Sequence, residues 1–143
     1  MPNRDGFNYA PRAPKKIVCE QGDFRFSVVG LTHGHINSMT RGVIDAGGEV
    51  VAVYDPDPAK VKKFCKKFPE VKAVDDEKRI LEDGSIQLVA SADIPSLRGP
   101  LGVRVLESGK HFFVDKTPFT TLDHLAAARE AVAKTNLIWA VCY

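Results

Sequence analysis

No stretch of this sequence stays apolar for the length of a membrane span, and residues 1–23 lack the apolar centre of a secretory leader. Both absences argue against a membrane partner and point to the cytoplasm. Cysteine is scarce: Cys19, Cys65 and Cys142 stand far apart, with no C-x-x-C pair. Such spacing suggests neither a disulfide framework nor a zinc site. Charge of one sign is lacking too. Twenty Lys and Arg against eighteen Asp and Glu leave a formal charge of +2. That is too little to argue for nucleic acid, and no aromatic RNA-binding signature accompanies the basic residues. Repeats and low-complexity segments are missing as well. What is present is a globular composition, 44% apolar and 27% charged over 143 residues, enough for one domain with a real core.

The informative stretch is residues 24–55. Residues 24–30 read as a short apolar strand ending on Gly30, and residues 31–36 as a tight polar turn. Residues 37–46 have helical character, stopped by Gly47 and Gly48. Residues 49–54 form a β-branched second strand with Asp55 at its carboxyl end. Strand, glycine turn, helix, strand, acid is the order of a mononucleotide-binding βαβ unit. In such a unit the turn sets backbone N–H groups and a helix amino end against a pyrophosphate, where the helix dipole favours negative charge. Asp55 lies 20 residues beyond His35, the distance at which an acid accepts hydrogen bonds from an adenosine ribose diol.

The glycine fingerprint is degraded. It runs Gly30, Leu31, Thr32, His33, Gly34, His35, with only its first glycine in register. Thr32 replaces the glycine that admits the pyrophosphate, and His35 the one that lets helix and strand pack closely. Gly34 offers flexibility one position away. Two readings stand side by side. The expected one is a dinucleotide cradle built from Gly30, Thr32, His33, Gly34, His35 and Asp55; the other is a purely structural turn. His33 and His35 are expected to hydrogen-bond near phosphate rather than to catalyse. No metal is expected, because no third ligand is apparent for the His33-x-His35 pair.

In chain order, residues 1–23 read as an irregular arm with Pro2, Pro11 and Pro14, in which residues 16–19 are an edge strand or nothing. After Asp55, Asp57 is placed to cap a helix that Pro58 opens. Val61, Phe64, Cys65 and Phe68 make its buried stripe, while Lys60, Lys62, Lys63, Lys66 and Lys67 read as a solvated face. A third strand at 71–74 precedes a brief helix capped by Asp75 or Asp76 and ending near Leu81. Residues 85–90 are an interior fourth strand, and the loop 91–95 with Ala92 leaves its carboxyl end, where open α/β sheets bind ligands. A helix follows with Leu97, Leu101 and Val105 on one face and Pro100 as a candidate kink, stopping at Gly109. Residues 111–114 are a fifth strand, with Asp115, Lys116, Thr117 and Pro118 just past its end. Thr120 and Asp123 suggest a capping box for a helix carrying Leu125, Ala128 and Val132. A sixth strand occupies 137–142. Six strands alternating with helices predict an α/β fold with a doubly wound parallel sheet, in strand order 3-2-1-4-5-6.

At this point the sequence resembles the nucleotide-binding half of the glucose–fructose oxidoreductase and inositol dehydrogenase family (Gfo/Idh/MocA). The resemblance covers residues 24–143. Its most specific part is a family segment of the form L-E-x-G-K-H-x-x-x-[ED]-K-P, which here runs from Leu106 and Glu107 through Asp115, Lys116, Thr117 and Pro118. It implies an NAD(P)-binding Rossmann domain and hydride transfer on a sugar, polyol or related hydroxy compound. Lys116 inherits the motif lysine's place near nicotinamide and substrate, with Asp115 and Ala92 beside the cofactor. Departures are Asp115 for the usual glutamate, Thr117 for the usual proline, and Ala92-Asp93-Ile94 where many members carry an A-T-P-like run. Without the family match, Lys116 would read as a surface lysine paired with Asp115.

Acidic Asp55, followed by Pro56 and Asp57 rather than arginine, predicts NAD over NADP. Family members also add a C-terminal α/β domain that shapes the substrate pocket, supplies an acid/base residue and oligomerises. The sequence stops at Tyr143, so the expectation is a nucleotide-binding domain from a longer oxidoreductase, inactive by itself, with a homo-oligomer as a possible state. Two non-catalytic alternatives remain: an NAD-sensing module, and a Rossmann-like interaction domain that no longer binds dinucleotide.

Overall fold

A computed structural model of the chain describes residues 16–143; most of the expected N-terminal arm therefore lies outside the described residues. Six strands and five helices alternate along it: β1 (Arg25–Val29), α1 (Ile36–Asp45), β2 (Glu49–Tyr54), α2 (Pro58–Lys67), β3 (Lys72–Ala73), α3 (Lys78–Leu81), β4 (Leu88–Ser91), α4 (Pro95–Glu107), β5 (His111–Asp115), α5 (Leu122–Thr135) and β6 (Trp139–Cys142). The sheet order is β3-β2-β1-β4-β5-β6, every pairing parallel. This is the doubly wound α/β architecture that the sequence predicts. Its order reverses between β1 and β4, so the loops leaving these two strands part at the sheet's carboxyl edge and open a crevice.

Strand alternation divides the core between the two faces. Phe26 and Val28 of β1 join Val50, Val53, Leu88 and Ala90 in one cluster with Ile36 and Met39 of α1 and Phe64 of α2. Val29, Ala52, Val89, Phe112 and Val114 point the other way and pack with Leu101, Val105 and Leu106 of α4 and Ala131 of α5. With both faces covered, the central strands read as nearly continuous apolar runs. Gly102 lets α4 settle on the sheet: a Cβ there would lie 2.1 Å from the Trp139 ring and 2.6 Å from Phe112.

Local signals hold in most places. Asp57, in extended conformation, accepts the Ala59 N–H, and Pro58 opens α2. Asp76 rather than Asp75 accepts the Lys78 N–H before α3. Of the two readings of residues 16–19 the structure takes the second: they form no strand and run beside the end of α1, with the Val18 N–H on the Ala46 carbonyl at 2.8 Å. Two expectations are corrected. The cap of α5 is Thr121, not Thr120, because Thr121 is the extended residue whose hydroxyl accepts the His124 N–H at 3.1 Å. Leu97 is exposed, and the buried face of α4 starts one residue later, at Arg98. Pro100 lies inside α4 without ending it.

Candidate functional site

The crevice is built from three loops. Gly30 leaves β1 with φ +83°, and an added Cβ would sit 2.6 Å from Asp93 Cβ, so the first fingerprint glycine is required by the close approach of the loop after β4. The turn is tied to that loop on both sides: the His33 N–H donates to the Ala92 carbonyl at 2.8 Å, and the Ala92 N–H to the Gly30 carbonyl at 3.2 Å. Ala92 is fully buried, with both backbone polar groups spent on holding the turn. Gly34 has open space where a side chain would be. The N–H groups of Thr32 and Gly34 have no acceptor among the described residues, and the first turn of α1 carries no acid. Free donors at a helix amino end suit a phosphate.

Asp55 stands where the sequence places it, at the end of β2, yet it faces inward. Its Oδ2 accepts the Leu31 N–H at 2.7 Å and its Oδ1 the Asp57 N–H at 2.8 Å, with the side chain 1% exposed. It braces the glycine turn against the start of α2. An open cleft of about 800 Å³ begins beside it, lined by Tyr54, Asp55, Pro56, Val61 and Val74.

Lys60 departs from the expected solvated face. Its Nζ donates to Thr32 Oγ1 at 3.1 Å and lies 3.8 Å from Asp55 Oδ1. Thr32 in turn donates to Asp93 Oδ1 at 2.9 Å. Lys60 and Thr32, with Lys63, Lys67 and Asn37, line a cleft of about 290 Å³ against the turn. The Asp93 carboxylate opposes an anion here and Lys60 favours one.

At the far end of the crevice the fold assembles a cluster that the sequence scatters over 83 positions. His35 Nδ1 is 3.1 and 3.2 Å from the two oxygens of Asp115, His33 Nδ1 is 3.5 Å from Asp115 Oδ2, and Lys116 Nζ is 3.5 Å from His35 Nδ1. Asp115 is buried, while both histidines are about half exposed. A neutral His35 donating from Nδ1 to this carboxylate presents a bare Nε2. His33 Nδ1 accepts the His35 N–H at 3.3 Å, so its own proton belongs on Nε2.

The absence of a third metal ligand is corrected here, because Asp115 joins His33 and His35 with ligand atoms within 4.8 Å of one another. Lys116 and Arg98 set two cations against the same atoms, which opposes a further positive ion. Lys116 itself is exposed, and its peptide bond to Thr117 is cis.

Sequence reasoning misses Asp93, Lys60 and, above all, Arg98, which is 2% exposed. Its Nε donates to the Asp93 carbonyl at 2.6 Å. Its Nη1 donates to the carbonyls of Asp115 and Thr117, each at 3.2 Å, and to that of Lys116, while Nη2 is 3.5 Å from Asp115 Oδ2. One signal could have found it: the series 98, 101, 105 continues the buried face of α4 with an arginine at its head.

The residues present fit a dinucleotide at its phosphates, through free N–H donors and a bare helix end; at the ribose, Asp55 is already engaged. Comparison with known proteins agrees with the geometry. Residues 24–143 match Gfo/Idh/MocA, an oxidoreductase family with an NAD-binding Rossmann fold. The scyllo-inositol 2-dehydrogenase (NAD(+)) of Bacillus subtilis is 28% identical over 115 residues, 80% of this chain and 34% of that protein. The dTDP-3,4-didehydro-2,6-dideoxy-alpha-D-glucose 3-reductase of Saccharopolyspora spinosa is 31% identical over the same shares. A solved structure from Erwinia carotovora atroseptica, assigned as an oxidoreductase, superposes with a TM-score of 0.80 at 41% identity, over 82% of this chain and 35% of that one. The chain thus spans about a third of the length of these relatives.

Proposed function

The chain belongs to the Gfo/Idh/MocA oxidoreductase family as its NAD-binding Rossmann domain, and from that premise we propose that residues 24–143 are the cofactor-holding part of an enzyme that moves hydride between NAD(H) and a hydroxyl-bearing carbon of a sugar or polyol. One observation carries the reading: free phosphate donors at α1 and the Lys116 ammonium face one crevice, with Lys116 Nζ 3.5 Å from His35 Nδ1. Bound NAD would supply the hydride acceptor. The chain's own residues hold it: the turn of Gly30, Thr32 and Gly34 with the α1 amino end takes the pyrophosphate, and His33 and His35 add hydrogen bonds nearby. Ala92 backs the turn. Asp55 lies in the wall of the cleft that receives the adenosine half. Lys116, whose Nζ lies beside His35, orients the reacting groups and moderates their proton transfer.

NAD is the preferred form in this proposal, since the buried Asp55 carboxylate repels a 2′-phosphate; Lys60 is the nearby cation that opposes the preference. Substrate walls and a dedicated base come from a second domain of the kind that the longer relatives have room for. The half-exposed histidines and exposed Lys116 support this reading: hydride transfer needs a positioned substrate in a water-poor pocket with a proton acceptor in reach, and here those groups are open to water. A cytoplasmic setting and self-association belong to the same reading; sedimentation reads the latter. No described helix is long and apolar enough to cross a membrane.

The second reading, a Rossmann-like interaction domain without dinucleotide, is favoured by one observation: both Asp55 oxygens are taken, and the Asp93 carboxylate stands against the phosphate turn on Thr32. Calorimetry with NADH and NADPH separates the two. We expect saturable NADH binding, weaker NADPH binding and no turnover of polyols by residues 1–143. Loss of all binding would leave the interaction domain. NADH production that disappears in Lys116→Ala would show that this stretch is a complete enzyme.

A further inference from the structure

We propose that Arg98 is a positioning residue of the crevice: from the first turn of α4 it fixes the Asp115 carboxylate and the backbone that carries Lys116, and through Asp115 it sets the ring of His35. The proposal rests on the reading of the site given above. A buried guanidinium is tolerated only when its charge is paired and its donors are used. Arg98 uses them in one direction. Its fork spans the carbonyl of Asp93 in the loop after β4 and three successive carbonyls, Asp115 to Thr117, in the loop after β5, with Asp115 Oδ2 at its outer nitrogen. Every contact lies at the carboxyl edge of the sheet, on the loop after β4 and the end of β5 with the loop that follows it, two of the three segments that build the crevice. An arginine serving only to seat α4 would need none of them, because Leu101, Val105 and Leu106 already bury that face.

The consequence for the site follows from the geometry of the fork, which is planar and rigid. Pinning three consecutive carbonyls from below leaves the Lys116 side chain directed outward, where its Nζ meets His35 at 3.5 Å. The Asp115 carboxylate is held between Arg98 on its buried side and His35 on its open side. Its acceptor position selects the Nδ1–H form of neutral His35 and leaves Nε2 toward the crevice. A lysine at position 98 would keep the charge but reach only part of this set. Methionine would keep most of the volume and none of the donors.

The test compares wild type with Arg98→Met and Arg98→Lys in the purified chain, using three readouts: thermal melting, NADH affinity by calorimetry, and the ¹⁵N shifts of the His35 ring. Arg98→Met is expected to bind NADH about tenfold more weakly, the order of loss that follows removal of an outer-shell partner of a site residue, and to lose the Nδ1–H signature of His35. Arg98→Lys, which keeps the fold even if the methionine variant does not, should fall between. Added guanidinium should restore part of the NADH affinity and of the His35 signature in Arg98→Ala. A lower melting temperature with unchanged His35 shifts and NADH affinity would reduce Arg98 to a packing residue and overturn the proposal, as would an Arg98→Lys variant identical to wild type in both. Failure of the wild type to bind NADH would instead sink the cofactor reading, while the His35 signature still decides the role of Arg98.

Discussion

Asp55 carries a structural duty that an acid at the ribose position need not have, and Asp55→Ala exposes it. The substitution removes the acceptor for two backbone donors, the buried Leu31 N–H at 2.7 Å and the half-buried Asp57 N–H at 2.8 Å. Leaving a buried donor without an acceptor costs about 1–3 kcal/mol. Leu31 sits at the upper end, since its N–H is enclosed by the turn; Asp57 sits at the lower end, since water can reach it. The sum is about 4 kcal/mol, or about 14 °C in melting temperature for a domain of this size. Loss of the Lys60 ion pair adds little, because the lysine is partly exposed and keeps its hydrogen bond to Thr32. Asp55→Asn keeps one carbonyl oxygen and should lose about half as much. Reversible thermal and urea unfolding followed by circular dichroism measures both variants, with NADH titration alongside to separate fold from ligand. An Asp55→Ala protein that melts within about 2 °C of wild type would show that the turn finds other acceptors, and the bracing argument would be wrong.

Three further outcomes follow from the same contacts. Thr32→Gly clears the position where the fingerprint has glycine and should tighten NADH binding about threefold, under 1 kcal/mol; unchanged or weaker binding by calorimetry would mean that the threonine hydroxyl is no obstacle. Lys60→Ala removes a cation that lies both against the turn and beside Asp55, and should lower NADPH affinity about tenfold, more than it lowers NADH affinity; equal losses for both would show that Lys60 does not discriminate the 2′-phosphate. Burial pushes the Lys110 ammonium below the ordinary lysine value of 10.5, only partly offset by Asp83, although its Nζ donates to the Asp83 carbonyl at 2.8 Å. The folded chain therefore releases this proton earlier than the unfolded one, so stability should rise with pH between the lowered folded value and 10.5. Lys110→Met should abolish that rise in pH-dependent urea unfolding, and a rise that persists would belong to another group.

The architecture was legible because each element carries its own local signal. β-branched runs bounded by glycine and aspartate mark the strands, Asp57 and Pro58 mark a helix start, and strict alternation of strand and helix leaves few topologies for a parallel sheet. The segment from Leu106 to Pro118 identified the family, and Lys116 came with it. Errors fell where two neighbouring residues offer the same chemistry, as with Thr120 and Thr121, or where helical phase slips by one, as with Leu97 and Arg98. In both cases only the backbone angle at that residue decides which side chain turns inward.

The sequence by itself determined the succession of strands and helices, the glycine turn and the acid that closes β2, because each depends on the residues near it along the chain. The tertiary structure alone decided what those groups touch. His33, His35, Asp93, Arg98, Asp115 and Lys116 lie on four separate segments, and nothing in their spacing announces that they converge. They meet because the sheet order reverses between β1 and β4, which brings the loops after β1, β4 and β5 to one edge. The same closure turns Asp55 inward onto Leu31 and draws Lys60 from a lysine-rich helix face to the phosphate turn. Hydrogen bonds between groups 60 to 80 residues apart are a property of the packed sheet, and local pattern carries no trace of them.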